Sequence, residues 1–298
     1  MGSGHPEQPK RLTAIQQALQ AAALWQHLHH LAPPQASDAQ LARVHTPAYI
    51  AEIRRTAPVH GHSTLDPDTT MNPYSLSAAL FAAGALIQAV DDVMRGVAKN
   101  AFCAVRPPGH HALPDRAMGF CIFNNVAVGA AHALTAHGLQ RVAIVDFDVH
   151  HGNGTEAMFR KDPRVLLCSS FHHPFYPYSG AASGNPHSVP MPLAAGSGSA
   201  DCRQAWRDIG LPALAHFRPE MILISAGFDA HHADPLGGLN WKTEDYAWLT
   251  QAVLQIADET AQGRLISTLE GGYDLDALGQ CAVAHVRALL NTSKESRS

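Results

Sequence analysis

Four apolar runs in this chain each end in a polar cluster, which confines it to a sheet whose strand ends meet at one site. The richest is Arg141–Gly154, RVAIVDFDVHHGNG. Val142, Ala143, Ile144 and Val145 have the pattern of a strand buried on both faces, and Asp146, Asp148, His150 and His151 follow at once. The others are AFCAVRPPGHH, ending at His110 and His111, MILISAGFD, ending at Asp229, and RLISTLEGGY, ending at Tyr273. In open α/β sheets, ligands bind beyond the carboxyl ends of the strands. Asp and His donors suit zinc, and three protein ligands with a free position describe a catalytic metal rather than a structural one. These clusters imply a metal-dependent amide hydrolase.

Helical periodicity marks Leu12–Leu31, Ser75–Arg95, Asn125–His137, Asp201–Phe217, Thr243–Ala261 and Leu275–Leu290. These segments alternate with the four runs and with RVLLCSS at Arg164–Ser170, so the expected class is α/β, a mostly parallel sheet covered on both faces. Gly and Pro gather in Pro107–Gly119, Pro174–Pro192 and Asp234–Gly238, expected as long loops over the strand ends. With no linker or repeat, one domain over 1–298 is expected.

Charged residues are only 15% of the chain and the formal net charge is -4, with no Lys/Arg run, which excludes a polyanion-binding footprint. No stretch reads as a membrane span or a secretory signal. The five cysteines are scattered, with no C-x-x-C pair, which suits reduced thiols and a cytoplasmic protein. A homo-oligomer is compatible with all of this.

Asp148 and His150, at i and i+2, share one face of an extended segment, and Asp229 from another strand completes a metal triad. Asp146 shares that face and suits a supporting role. Five His-His pairs occur among 20 histidines, so most are incidental; His29-His30, for instance, falls late in the first expected helix. His110-His111 differs, because Pro107-Pro108-Gly109 sets it in a turn directly after a strand, where an imidazole can move protons near neutral pH. The ordinary alternative is a pair of structural histidines. Tyr273, after two glycines, is either a packed ring or a phenol aimed at a developing oxyanion. Phe120 and Tyr176 are either core rings or the walls of a narrow apolar tunnel.

Taken in order, RPPGHHA, GFCIFNN, VDFDVHHGNGT, PFYPYSG, SAGFDAHHADPLGG and LEGGYD resemble the histone deacetylase family, especially its class II-type and bacterial amidohydrolase-like members. The resemblance runs from about His5 to about Leu290. It implies the arginase/deacetylase fold, a parallel sheet of usually eight strands flanked by helices, and hydrolysis of an acetyl amide at the base of a tube-shaped pocket. The implied zinc ligands are Asp148, His150 and Asp229. The resemblance pairs His110 with Asp146 and His111 with Asn153, and it makes Tyr273 the donor to the oxyanion. A carboxylate partner favours imidazolium, so His110 is the expected electrostatic stabiliser and His111 the expected general base, then acid. Phe120 and Tyr176 would line the acyl channel, with Gly119 at its wall and Leu236 near its rim. A potassium ion is implied at Asp146, Asp148, His150, Ser169 and Ser170, several acting through carbonyls.

Three departures stand out. Phe171 occupies a position where the family often has histidine, and Tyr176 one where phenylalanine is usual. The segment before His5, which in the family supplies a first strand, is absent here. The resemblance implies an acetyl-lysine peptide or protein as substrate. The alternative is a small acetylated amine such as an acetylpolyamine. Polyamine-selective relatives carry an acidic residue where this chain has Leu236, and Gly-Tyr-Cys where it has Gly119-Phe120-Cys121. A third reading, a non-catalytic acyl-lysine-binding protein, is disfavoured because Tyr273 is present.

Overall fold

The apolar runs that lead to Asp146, Asp229 and Tyr273 become interior strands covered by helices on both faces, whereas the run that leads to His110 forms an edge strand at Asn100–Cys103. The computed structural model describes Gly2 and residues 4–291; the remaining ends of the expected 1–298 domain lie outside the described residues. In chain order the elements open with α1 (Lys10–Ala21), α2 (Asp38–Leu41), α3 (Pro47–Thr56), the hairpin β1 (Ser63–Asp66) and β2 (Thr69–Met71), α4 (Ser75–Met94) and β3 (Asn100–Cys103). Next come α5 (Asn125–Ala136), β4 (Val142–Asp146), α6 (Asn153–Phe159), β5 (Val165–His172) and β6 (Ser188–Leu193). The chain continues through α7 (Ser199–Ala205), a π-turn (Trp206–Gly210), α8 (Leu211–Phe217), β7 (Met221–Ala226), α9 (Thr243–Thr260), β8 (Leu265–Leu269) and α10 (Leu275–Asn291).

Six strands form one parallel sheet in the order β3-β8-β7-β4-β5-β6. Successive residues of β4 point to opposite layers. Ala143 and Val145 pack with Ile15 of α1, Val253 of α9 and Leu278 of α10, whereas Val142 and Ile144 pack with Leu86 of α4 and Val126 of α5. A strand buried on both faces carries no polar alternation, hence the unbroken apolar run. From β4 the chain moves outward through β5 to β6, then returns to lay β7 on the other side of β4. The β4/β7 junction is therefore the topological switch point, where a crevice opens at the strand ends.

The structure corrects four sequence expectations. Among the described residues the main sheet has six strands rather than eight. Part of the segment expected to be loop, Pro174–Pro192, is the edge strand β6; its SVPMPL sequence holds two prolines, which an edge tolerates and a central strand does not. The first helix ends at Ala21, not Leu31: Ala23 takes φ 54°, and His29 and His30 lie beyond a short 3-10 turn. Finally, α4 is long and apolar enough by length and composition to cross a bilayer, yet 67% of its most apolar window is buried inside the protein. It spends that apolarity on two cores at once, Leu86 and Val90 toward the sheet, and Leu80 and Ile87 toward α3 and the β1–β2 hairpin.

Candidate active site at the carboxyl end of the sheet

Beyond β4 the chain bends rather than staying extended as expected. Asp148 N–H donates to Asp146 Oδ1 and His150 N–H to Asp148 Oδ1, which brings Asp148 and His150 together, while Asp229 arrives from just past the end of the adjacent β7. His150 Nδ1 lies 3.0 Å from Asp148 Oδ1 and 3.2 Å from Asp229 Oδ2. Ligands held at ~2.0–2.1 Å around a tetrahedral ion stand roughly 3.3 Å apart, so these separations are those of a chelating set.

Backbone amides orient the carboxylates. Gly271 N–H donates to Asp148 Oδ2 at 2.8 Å, and Val149 N–H donates to Asp229 Oδ1 at 2.9 Å. The other oxygen of Asp229, Oδ2, is buried and has no hydrogen-bond partner. An orphaned carboxylate oxygen at the centre of two Asp and one His is what a divalent cation would satisfy. The donor set fits such an ion. Gly271 is required by proximity: a Cβ there would stand 1.9 Å from Asp229 Oδ2.

The two histidines after β3 are held from three sides. Glu270, at the end of β8, accepts from the N–H of Gly109 at 2.6 Å and of His110 at 3.1 Å. Asn124 caps α5 by accepting from Ala127 N–H, and its amide donates to the carbonyls of His110 and Ala112. The side chains then diverge electrically. His110 Nδ1 meets Asp146 Oδ2 at 2.9 Å. Burial opposes charge on this ring, but Asp146, Asp148 and Glu270 outweigh it and hold the imidazolium well above the usual histidine range. His111 Nδ1 meets Asn153 Oδ1 at 2.7 Å. Burial, reinforced by the neighbouring His110 and His150, pushes His111 well below that range.

The Asn153 amide is oriented by Met118, whose sulfur accepts from its nitrogen at 3.4 Å. The carbonyl oxygen thus faces His111. An oxygen acceptor fixes the imidazole proton on Nδ1 and leaves the Nε2 lone pair free.

The expected channel residues cluster here too. The Tyr176 ring stands edge-on to His111, with centroids 5.2 Å apart, and to His150 at 6.0 Å. Burial, with Asp68 beside the phenol, raises its pKa. Gly119 takes φ 58°, and a Cβ there would stand 2.4 Å from the His111 ring. Phe120 meets the edge of Tyr273 at 5.9 Å. Leu236 is partly buried, with its N–H donating to Asp234. Ser169 and Ser170, expected near potassium, have hydroxyls engaged elsewhere: Ser169 with His151 at 3.2 Å, and Ser170 accepting from Trp206 at 3.1 Å. Phe171 is buried against His151, whose Nε2 pairs with Glu156 at 2.7 Å.

Sequence reasoning missed the residues that hold Tyr273. Asp234 Oδ2 accepts from the N–H of Tyr273 at 2.6 Å and of Asp274 at 3.2 Å. Arg11 is fully buried, donates to the carbonyl of Gly272 at 2.7 Å and to that of Glu270, and lies 4.9 Å from the centre of the Tyr273 ring. Its signal was present: Arg11, Ile15 and Leu19 recur every fourth residue, so the arginine sits on the apolar stripe of α1.

A histone deacetylase domain is recognised over residues 5–289. The chain belongs to the histone deacetylase family. It is 38% identical to the histone deacetylase-like amidohydrolase of Pseudomonas aeruginosa, over 96% of this chain and 77% of that protein. It is 39% identical to the human polyamine deacetylase HDAC10, over 95% of this chain but only 44% of that protein. The crystal structure of the HDA15 HD domain superposes with a TM-score of 0.92 at 37% identity, covering 98% of this chain and 83% of that one. Family membership makes the chain a hydrolase of the deacetylase and amidohydrolase type.

Proposed function

We propose that this family member is a zinc-dependent deacetylase that hydrolyses the acetyl amide of N-ε-acetyl-lysine in peptides or proteins. The observation that carries the reading is the contrast between two adjacent histidines, one held charged by Asp146 and the other held neutral beside Asn153, above a three-donor metal set. Asp148, His150 and Asp229 would hold the zinc, which when bound polarises the acetyl carbonyl and acidifies water.

The chain's own residues do the rest. Neutral His111 accepts the proton of the attacking water at Nε2 and returns it to the leaving amine nitrogen. His110, kept as imidazolium, offsets negative charge as it develops on the carbonyl oxygen. Tyr273 donates its hydroxyl to that same oxygen. Tyr176 and Phe120, with Gly119 at the wall beside His111, would line the channel that admits a linear aliphatic chain, and Leu236 would lie toward its rim. Potassium, if taken up, would rest on backbone carbonyls around Asp146, Asp148, His150, Ser169 and Ser170. The unpaired, buried cysteines suit a reducing compartment, and we place the protein in the cytoplasm.

An acetylpolyamine is the competing substrate, favoured by the 39% identity to the human polyamine deacetylase. Apolar Leu236 gives a cationic chain no counter-charge, which favours the peptide. Turnover of an acetyl-lysine peptide measured against an N-acetylpolyamine decides between them. A larger kcat/KM on the peptide supports the proposal; turnover of the polyamine alone moves the function to small-molecule metabolism.

A further inference from the structure

A second cluster of metal-type donors lies far from the site described above. His132 is in the last turns of α5, His137 follows its end, and Asp91 projects from α4. His132 Nε2 stands 2.8 Å and His137 Nε2 2.7 Å from the same oxygen, Asp91 Oδ1. One donor atom from each residue lies within 4.8 Å of the others. The position is distant because α5 starts at the active-site loop, where Asn124 holds His110, and ends before the amino end of β4. Its 12 residues span ~18 Å at about 1.5 Å per residue.

We propose that Asp91, His132 and His137 form a second, outer binding site for a divalent transition metal ion such as zinc, tethering α4 to α5. Two imidazoles and a carboxylate are donors that suit zinc, copper or nickel. His132 is nearly buried, with 7% of its side chain exposed, whereas His137 and Asp91 are 21% and 33% exposed, so the cluster has both a fixed wall and an open side. Donors ~2.0–2.1 Å from an ion stand roughly 3.3 Å apart, which requires Asp91 to withdraw by about half an ångström, and its exposure leaves room for that.

Arg43 stands in the way. Its Nη1 donates to His132 Nδ1 at 2.6 Å, which leaves the imidazole proton on Nε2, pointing at Asp91. Metal binding moves that proton to Nδ1 and frees the Nε2 lone pair, so Arg43 must swing away, as an exposed side chain can. This separates a metal site from a simple ion-pair cluster. Arginine stabilises the cluster and opposes the metal.

Equilibrium dialysis against zinc, with elemental analysis of the protein, tests the assignment. The expected result is two zinc ions per wild-type chain, one in His137→Gln and in Asp91→Asn, and two in Arg43→Ala with the outer ion bound more tightly. Deacetylase turnover should be unchanged in His137→Gln. Arg43→Ala keeps all three donors and so remains decisive if a donor variant folds poorly. One ion per wild-type chain, a second ion that survives both donor substitutions, or a second ion weakened by Arg43→Ala would each overturn the proposal.

Discussion

The Nδ1 of His111 faces the amide oxygen of Asn153 at 2.7 Å, and this one contact fixes the ring's tautomer and withholds the carboxylate that would charge it. Its neighbour His110 has the opposite partner, Asp146. Two rings with centroids 4.0 Å apart are thereby driven to opposite protonation states.

Replacing Asn153 with Asp should put a negative charge beside His111 and raise its pKa. A base must be neutral to accept a proton, so the acid limb of the pH–rate profile should move to higher pH. At neutral pH kcat/KM should drop by ~10²-fold, the lower end of what general-base catalysis contributes. A profile that keeps its acid limb in place would separate His111 from the base role.

Tyr273→Phe removes a donor to the developing oxyanion and little else, because the Phe120 and Arg11 contacts are made by the ring. We expect kcat to fall by ~10²–10³ with KM nearly unchanged. Steady-state kinetics on an acetyl-lysine peptide checks the split.

Arg11→Met should destabilise the fold by about 3 kcal/mol, the low end for breaking a buried ion pair, because Arg106 still neutralises Glu7 at the same spot. The carbonyls of Gly272 and Glu270 lose their donor, so Tyr273 should also lose its placement. Urea unfolding reports the first effect and kcat at a temperature well below unfolding reports the second.

How much of this was readable beforehand varied with chemistry. The strands at Val142, Met221 and Leu265 declared themselves because burial on both faces leaves no other kind of sequence. The metal triad was readable because its residues directly follow those strands. By contrast, β6 with its two prolines and the hairpin STLD/TTM look like loop, since edge strands need neither apolarity nor every N–H. Arg11 and Asp234 act through backbone atoms of a segment more than 30 residues away, as the separations of 261 and 39 residues show. No local pattern reports such a contact.

Two more histidines give the fold a pH signature. Burial lowers the pKa of His45 to about 4 and of His285 to about 3, so both are neutral when folded. The unfolded chain binds protons at these positions first, so their stabilisation is complete above about pH 6.5 and is lost as pH falls toward 4 and 3. For His45 the loss is about 3 kcal/mol at the acid end. Urea midpoints should fall between pH 6.5 and 4, and His45→Gln should flatten part of that slope.

The central claim is that an ion held by Asp148, His150 and Asp229 is required for deacetylation. It is tested by stripping His137→Gln protein of metal and titrating zinc while following acetyl-lysine peptide turnover. That variant leaves the active-site donors as the expected zinc site. The account predicts no turnover without metal, a linear rise that ends at one zinc per chain, and no rise in Asp229→Asn. Full turnover in the stripped protein, or zinc activation that persists in Asp229→Asn, would contradict it.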